Sequence, residues 1–271
     1  MSSLTAQHAL SSTTSELGVS MQRLSTGLRV NSAKDDAAGL AIAERLMSQS
    51  RGKQVAGRNA NDAISVVQTV EGALGKIGES LFRMRELAVQ SVNETNGSGD
   101  RANLDEEYKA LSEDVIRVIM GTRFNGMLLL NGVTSAMAFQ VGADNTSADT
   151  ITVTMGNIWA GPGMSVALSG TGATISTAAY ALSTMSNLDA AIDEVTTARS
   201  VLGSVQNRFE HVMDDLATSS ESLQIARGRI MDADMAAETS RLSRAQVLQQ
   251  AGNAMLAQAN QAPQQVLSLL R

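Results

Sequence analysis

Cysteine is absent from this chain, which excludes disulfides, thiolate metal sites and thiol catalysis, and suits a protein that passes between redox compartments. Proline occurs only twice, at Pro162 and Pro263, so little of the sequence is forced to break a helix. Aromatic residues make up 3% of the chain. A core must then be made from Leu, Val, Ile, Met and Ala, which interlock between closely packed helices. No apolar run approaches the ~20 residues of a membrane span, and "MSSLTAQHALSSTT" has neither a basic n-region nor an apolar h-region. We therefore expect no membrane insertion and no cleaved classical signal. The 21 Lys and Arg residues are scattered under a net charge of −6, so there is no basic stripe to neutralise phosphates and nucleic acid is not an expected partner.

Ala, Leu, Gln, Arg and Glu are plentiful instead, and they propagate helix. Ala56, Ala60, Ala63, Val67, Val70, Leu74, Ile77, Leu81, Met84 and Ala88 alternate four- and three-residue steps, the heptad pattern of a supercoiling helix. Leu188, Ala191, Val195, Ala198, Leu202, Val205, Phe209, Val212, Leu216, Ser219, Leu223, Ala226 and Ile230 repeat it. At ~1.5 Å per residue these stripes correspond to helices of roughly 50 and 65 Å. A third stripe, Leu104, Tyr108, Leu111, Val115 and Val118, follows the turn "NETNGSGD" and returns antiparallel. The expected fold class is mainly α: an elongated antiparallel coiled-coil or helical-bundle rod with a small β-hairpin, plus paired terminal helices.

The hairpin is expected from Ala138 to Val141 and Thr150 to Thr154, around a polar turn. Residues 156–179 are rich in Gly, Ser and Thr and read as a loop or short irregular surface excursion. Terminal stripes run through Leu10, Leu17, Met21, Leu24 and Leu28, and through Leu242, Ala245, Leu248, Ala251, Met255, Leu256 and Ala259. The C-terminal apolar face is wider than the N-terminal helix can cover, which marks an assembly surface. Between these stripes and the rod, Asn31, Ser32, Asp35 and Asp36 supply N-cap oxygens and negative charge for a helix start. Asp232 and Asp234 form the matching device in the C-terminal half.

Catalysis finds little support. His8 and His211 lie in different predicted helices, no HExxH occurs, and neither has carboxylates at metal-ligand spacing. "EGALGKIGES" lacks the GxxxxGK[ST] spacing of a phosphate loop, and no other polar group converges on Asp214 and Asp215. No cofactor and no enzymatic activity are expected. Asn-x-Ser/Thr matches at Asn93, Asn96 and Asn145 are short enough to arise by chance.

"QRLSTGLRVNSAKDDAAGLAIAERL", "LFRMRELAVQS", "TRFNGMLLLNG", "NRFEHVMDDL" and "ARGRIMDADMAAETSRLSRAQVLQQAGNAMLAQANQAPQQVLSLLR" together resemble bacterial flagellin, at both ends and in the right order. The resemblance implies a terminal inner-tube domain (1–31 with 233–271), a rod domain (32–155 with 180–232) and a short variable surface segment (156–179). It implies a non-enzymatic subunit that polymerises with its own copies into the extracellular flagellar filament for swimming, after unfolded export by the flagellar type III channel. An export chaperone, the flagellar cap and the hook-filament junction protein are implied partners. On this reading Leu10, Leu17, Met21, Leu24, Leu28, Leu242, Leu248, Met255 and Leu256 serve inner-tube assembly, and Asn31, Asp35, Asp36, Asp232 and Asp234 connect the domains.

The resemblance also implies contacts to innate-immunity receptors. Arg83, Leu87 and Asp114 match the Toll-like receptor contact, and Leu267, Leu269 and Leu270 match the segment read by cytosolic sensors. Phe82 departs from the polar residue usual beside that contact in strongly recognised members, which weakens this expectation. Several residues resembling "INTN" usually precede the position held here by "SSLTAQ", so a clipped or late-starting N-terminus is expected. A hook-filament junction protein, with similar ends, is the alternative, though the near-complete C-terminal match argues against it. A catalytic central insert is not expected, because 156–179 is short and lacks His, Cys, Asp and Glu.

Overall fold

A computed structural model describes residues 2–134, 136–169 and 173–269, with the side chains of 2, 3 and 259–269 outside the described set. The helices are α1 (Ser2–Thr26), α2 (Ala37–Val92), α3 (Ser98–Gly121), α4 (Pro162–Leu168), α5 (Ala178–Met231) and α6 (Met235–Leu269). Two small antiparallel sheets lie between α3 and α4: β1 (Arg123–Phe124) with β2 (Met127–Leu128), and β3 (Ala136–Gln140) with β4 (Thr150–Thr154). The mainly α fold with a hairpin and paired terminal helices is as expected. The chain forms two compact units, Met1–Arg51 with Ser220–Arg271, and Gly52–Ser219. Both changes of unit occur inside a continuous helix, α2 and α5 respectively.

The second unit holds the main core. Every residue of the α2 stripe from Ala56 to Ala88 is buried. Opposite it, Leu188, Ala191, Val195, Leu202 and Phe209 of α5 are buried too. Burial of each large aliphatic side chain contributes about 1.5–3 kcal/mol. Phe209 meets Phe139 of β3 edge to face, with ring centroids 5.8 Å apart.

On α3 the buried face is Asp105, Tyr108, Ser112, Val115 and Ile119, so Leu104, Leu111 and Val118 sit at its margin, one step off the predicted stripe. The buried polar groups explain the shift. Asp105 accepts from Ile175 N and Thr174 Oγ1, both at 2.7 Å, and pairs with Lys109 at 2.6 Å. Burial by itself would raise its pKa, but the Lys109 hydrogen bond, Ile175 N–H and Thr174 hydroxyl bring it below the ordinary aspartate value. The Tyr108 hydroxyl donates to Ala167 O at 2.8 Å, and burial followed by the Asp105 charge pushes its pKa above 10.

An Asn-Gly pair sets the first of the hairpin turns. Asn125 (φ 46°) and Gly126 (φ 80°) both adopt positive φ between β1 and β2, the geometry of a type I′ hairpin turn, which gives a second hairpin that was not expected. The β3–β4 register, Ala136↔Thr154 to Gln140↔Thr150, starts two residues earlier than predicted on the first strand.

The segment 156–179 is not simply a loop. It contains α4, whose Met164, Ala167 and Leu168 are buried in the main core. Pro162 occupies its first turn, where a missing N–H costs nothing, and Glu194 of α5 accepts from Gly163 N at 2.8 Å and Met164 N at 3.2 Å. Composition conceals this helix because its stabilising partner lies 31 residues away. Gly163 makes the contact possible: a Cβ there would stand 2.5 Å from Ala191 N and 2.7 Å from Ala190 C, both backbone atoms. Gly163→Ala should therefore destabilise the second unit by about 1–3 kcal/mol, as overpacking does. Thermal unfolding followed by circular dichroism checks this, and an unchanged midpoint would mean that α4 does not pack against α5 so closely.

Candidate functional site

The two connectors meet within the first unit. Gly27 (φ +72°) ends α1, donating its N–H to Arg23 O at 2.8 Å, and only glycine takes that left-handed conformation without strain. The chain then runs alongside the end of α5 as a short antiparallel bridge, Leu28↔Asp232. Arg29 N donates to Met231 O at 2.6 Å, and Ala233 N donates to Gly27 O at 2.9 Å. The Arg29 guanidinium adds a bond to Ile230 O at 2.7 Å, placing positive charge at the carbonyl end of α5. Val30, Ala43 and Met231 are buried beneath this bridge, with Leu28, Leu40 and Ile230 packed around them.

The predicted acidic residues divide the work. Asp35 organises the turn: its carboxylate accepts from Asn31 N (3.1 Å), Ser32 N (2.9 Å) and Ser32 Oγ (3.1 Å). Asn31 in turn donates its side-chain amide to Leu28 O at 3.0 Å. Asp36 is the N-cap of α2, accepting from Gly39 N at 2.8 Å. Asp234 caps α6 in the same way, from Ala236 N (2.9 Å) and Ala237 N (3.1 Å), while Asp232 contributes its backbone to the bridge.

The α1–α6 pair places the stripe residues unequally. Leu10, Leu17, Leu24, Leu242 and Leu256 are half-buried, and so is Leu28, which lies past the end of α1 in the bridge. Met21, Leu248 and Met255 are exposed, at 57%, 49% and 66%, and so do not sit in the seam. Buried on these two helices instead are Ser20, Glu238 and Ala245. The α6 seam follows Glu238, Leu242, Ala245, Gln249, Gly252 and Leu256, where Gly252 lets Leu10 come close. Sequence reading missed Glu238, whose carboxylate is bound by Arg241 at 3.1 Å and faces Arg23 at 4.0 Å. A heptad count extended upstream from Leu242 through one acidic position would have found it.

The candidate receptor residues differ in exposure. Arg83 is half-exposed and pairs with Glu107 of α3 at 2.7 Å and Glu86 at 3.1 Å, bonds that raise its pKa further. Asp114 is exposed and pairs with Arg117 at 2.8 Å. Leu87 is buried in the core at 1% exposure, so its side chain presents no surface to a partner. Leu267, Leu269 and Leu270 lie outside the described side chains. Among the described residues no group of three His, Cys, Asp or Glu could hold a metal ion, and no helix is long and apolar enough to cross a membrane.

Two consequences can be measured. Hydrogen bonds from Asn31 and Ser32 hold the Asp35 pKa below the usual 3.8. A depressed folded-state pKa contributes stability that is complete above the unfolded value and is lost as pH falls through the folded one. The Asn31 and Ser32 amide resonances should therefore shift together on acidification below about pH 4; Asp35→Asn should abolish that titration, and its persistence would remove Asp35 as the cause. Asp36→Ala should cost the start of α2 about 1 kcal/mol. Faster hydrogen exchange at the Gly39 amide reports it, and unchanged protection would deny the cap any weight.

Comparison with known proteins matches the N-terminal and C-terminal parts of the chain. The bacterial flagellin N-terminal helical region matches residues 1–135, and the bacterial flagellin C-terminal helical region matches residues 185–270. A flagellin of Halalkalibacterium halodurans is 45% identical over 251 residues, covering 93% of this chain and 90% of that one. A flagellin of Bacillus subtilis is 39% identical, covering 100% and 98%. Among solved structures, the Bacillus cereus flagellin aligns with a TM-score of 0.52 at 29% identity, over 59% of this chain and 88% of that one.

Proposed function

Because the chain belongs to the bacterial flagellin family, a family of structural proteins whose members form the extracellular filament, we propose that it builds that filament through the outer surface of its α1–α6 pair. The observation carrying this reading is the inverted distribution of apolar residues on the pair. Leu4, Val19, Met21, Val247, Leu248 and Met255 are exposed by 39–66%, while polar Ser20 and Glu238 are buried. A two-helix layer arranged this way gains most of its apolar burial from other copies. The connectors suit the same role: two capped helix starts joined by backbone hydrogen bonds would hold α1 and α6 in register as copies pack. Unfolded export through the type III channel, with a chaperone, is supported by the freedom from cysteine and the two prolines, which leave no disulfide to break and few slow isomerisations. Cap and junction contacts belong to the two ends of such a filament, and Arg83 and Asp114 offer the exposed part of a Toll-like receptor contact.

Purified chain should elongate filament fragments used as seeds, visible by electron microscopy. The triple variant Val247→Ser, Leu248→Ser, Met255→Ser should fail to elongate the same seeds while the second unit keeps its thermal transition. Normal elongation by that variant would remove the exposed apolar face from the assembly surface.

A further inference from the structure

A groove-like cavity of about 530 Å³ opens on the second unit, a volume ordinary for a small-molecule site. Its walls are apolar: Val70 and Leu74 come from α2, Leu202 from α5, and Leu130, Met155 and Ile158 from the segments beside the two hairpins. Gly156 keeps one side open, since a Cβ there would meet only Ile158 Cδ1, at 3.8 Å. At the mouth Val201 is 47% exposed, an apolar side chain facing solvent. The charged residues lining the cavity are of one sign. Asp193 and Glu194 of α5 are among them, and no Lys, Arg or His is. The Glu194 carboxylate is held in place by Gly163 N and Met164 N. Asp193 is exposed and forms no ion pair among the described residues. Arg199, on the same helix, is engaged with Glu71 at 3.6 Å.

Water gains few hydrogen bonds against such walls, so an apolar body that displaces it is favoured. An anion would meet two carboxylates and no cation within the lining. A bare metal ion would find too few ligands, because no group of three His, Cys, Asp or Glu occurs among the described residues. A hydrocarbon body ending in an ammonium suits both the walls and the rim. We propose that this cavity binds a small apolar amine, its hydrocarbon part against Val70, Leu74 and Leu202 and its ammonium beside the Asp193 carboxylate. Glu194, already committed to α4, fixes the rim, and Asp193 supplies the free charge that selects a cation. This binding does not depend on assembly of the chain.

Octylammonium, octanol and octanoate share one tail and differ in head group, so they separate the walls from the rim. Each is titrated into the full chain near neutral pH while the Met155 methyl resonance is followed by NMR. Octylammonium should bind more tightly than octanoate. Asp193→Asn should weaken octylammonium about threefold, the scale of one exposed ion pair, and leave octanol unchanged. Val201→Trp, which fills the mouth, should abolish the response to all three probes; Thr197→Trp, also on the rim, makes the same test if the first variant lowers the thermal midpoint. Equal affinities for octylammonium and octanoate, or undiminished octylammonium binding in either the Asp193 or the mouth-filling variant, would overturn the proposal, and so would a Met155 methyl that responds to none of the probes. Loss of octylammonium binding once the chain is assembled on seeds would give the cavity to a neighbouring copy, and would overturn it as well.

Discussion

Two backbone hydrogen bonds, Arg29 N to Met231 O and Ala233 N to Gly27 O, tie together segments about two hundred residues apart in the chain. Everything in the first unit depends on this closure. It sets where α1 ends and where α6 begins, and so fixes which residues of each helix face the other. Side chains could have satisfied the same groups separately, but only a backbone bridge fixes the register of both strands at once. The Asp35 turn, the Asp36 and Asp234 caps and the small Val30–Ala43–Met231 cluster support that bridge from either side.

The two units differ in what stabilises them. The second has a continuous apolar core drawn from α2, α3, α4, α5 and the larger hairpin, and its buried Tyr108 and Asp105 are hydrogen-bonded. The first has a thin seam of half-buried leucines, a buried carboxylate with one unsatisfied oxygen, and large apolar side chains on its exterior. A layer of this kind is weakly self-sufficient, because too little apolar surface is removed from water to offset the entropy of ordering two long helices. Its stability is then tied to association.

Sequence periodicity was most informative where one face of a helix is buried along its whole length. The α2 stripe from Ala56 to Ala88 is legible for that reason, and so is most of the α5 stripe. It was less informative where burial is shared with polar groups: Asp105 and Ser112 displace the α3 face by one position, and Glu238 interrupts the α6 seam. The acidic connectors could be recognised from cap chemistry, which is local, but the division of labour between Asp35 and Asp36 depends on turn geometry that spacing alone does not specify. The helix α4 stayed hidden because a seven-residue helix carries no periodic signal, and the groups that stabilise it, Glu194 and Tyr108, come from elsewhere in the chain.

That short helix changes which part of the molecule is expendable. In this protein a foreign segment put in place of 162–168 would uncover the apolar floor beneath Met164 and Leu168 and strand the Glu194 carboxylate. The exposed turn at Asp144–Ser147 closes the larger hairpin with no side chain in the core, which makes it the safer place to insert a peptide.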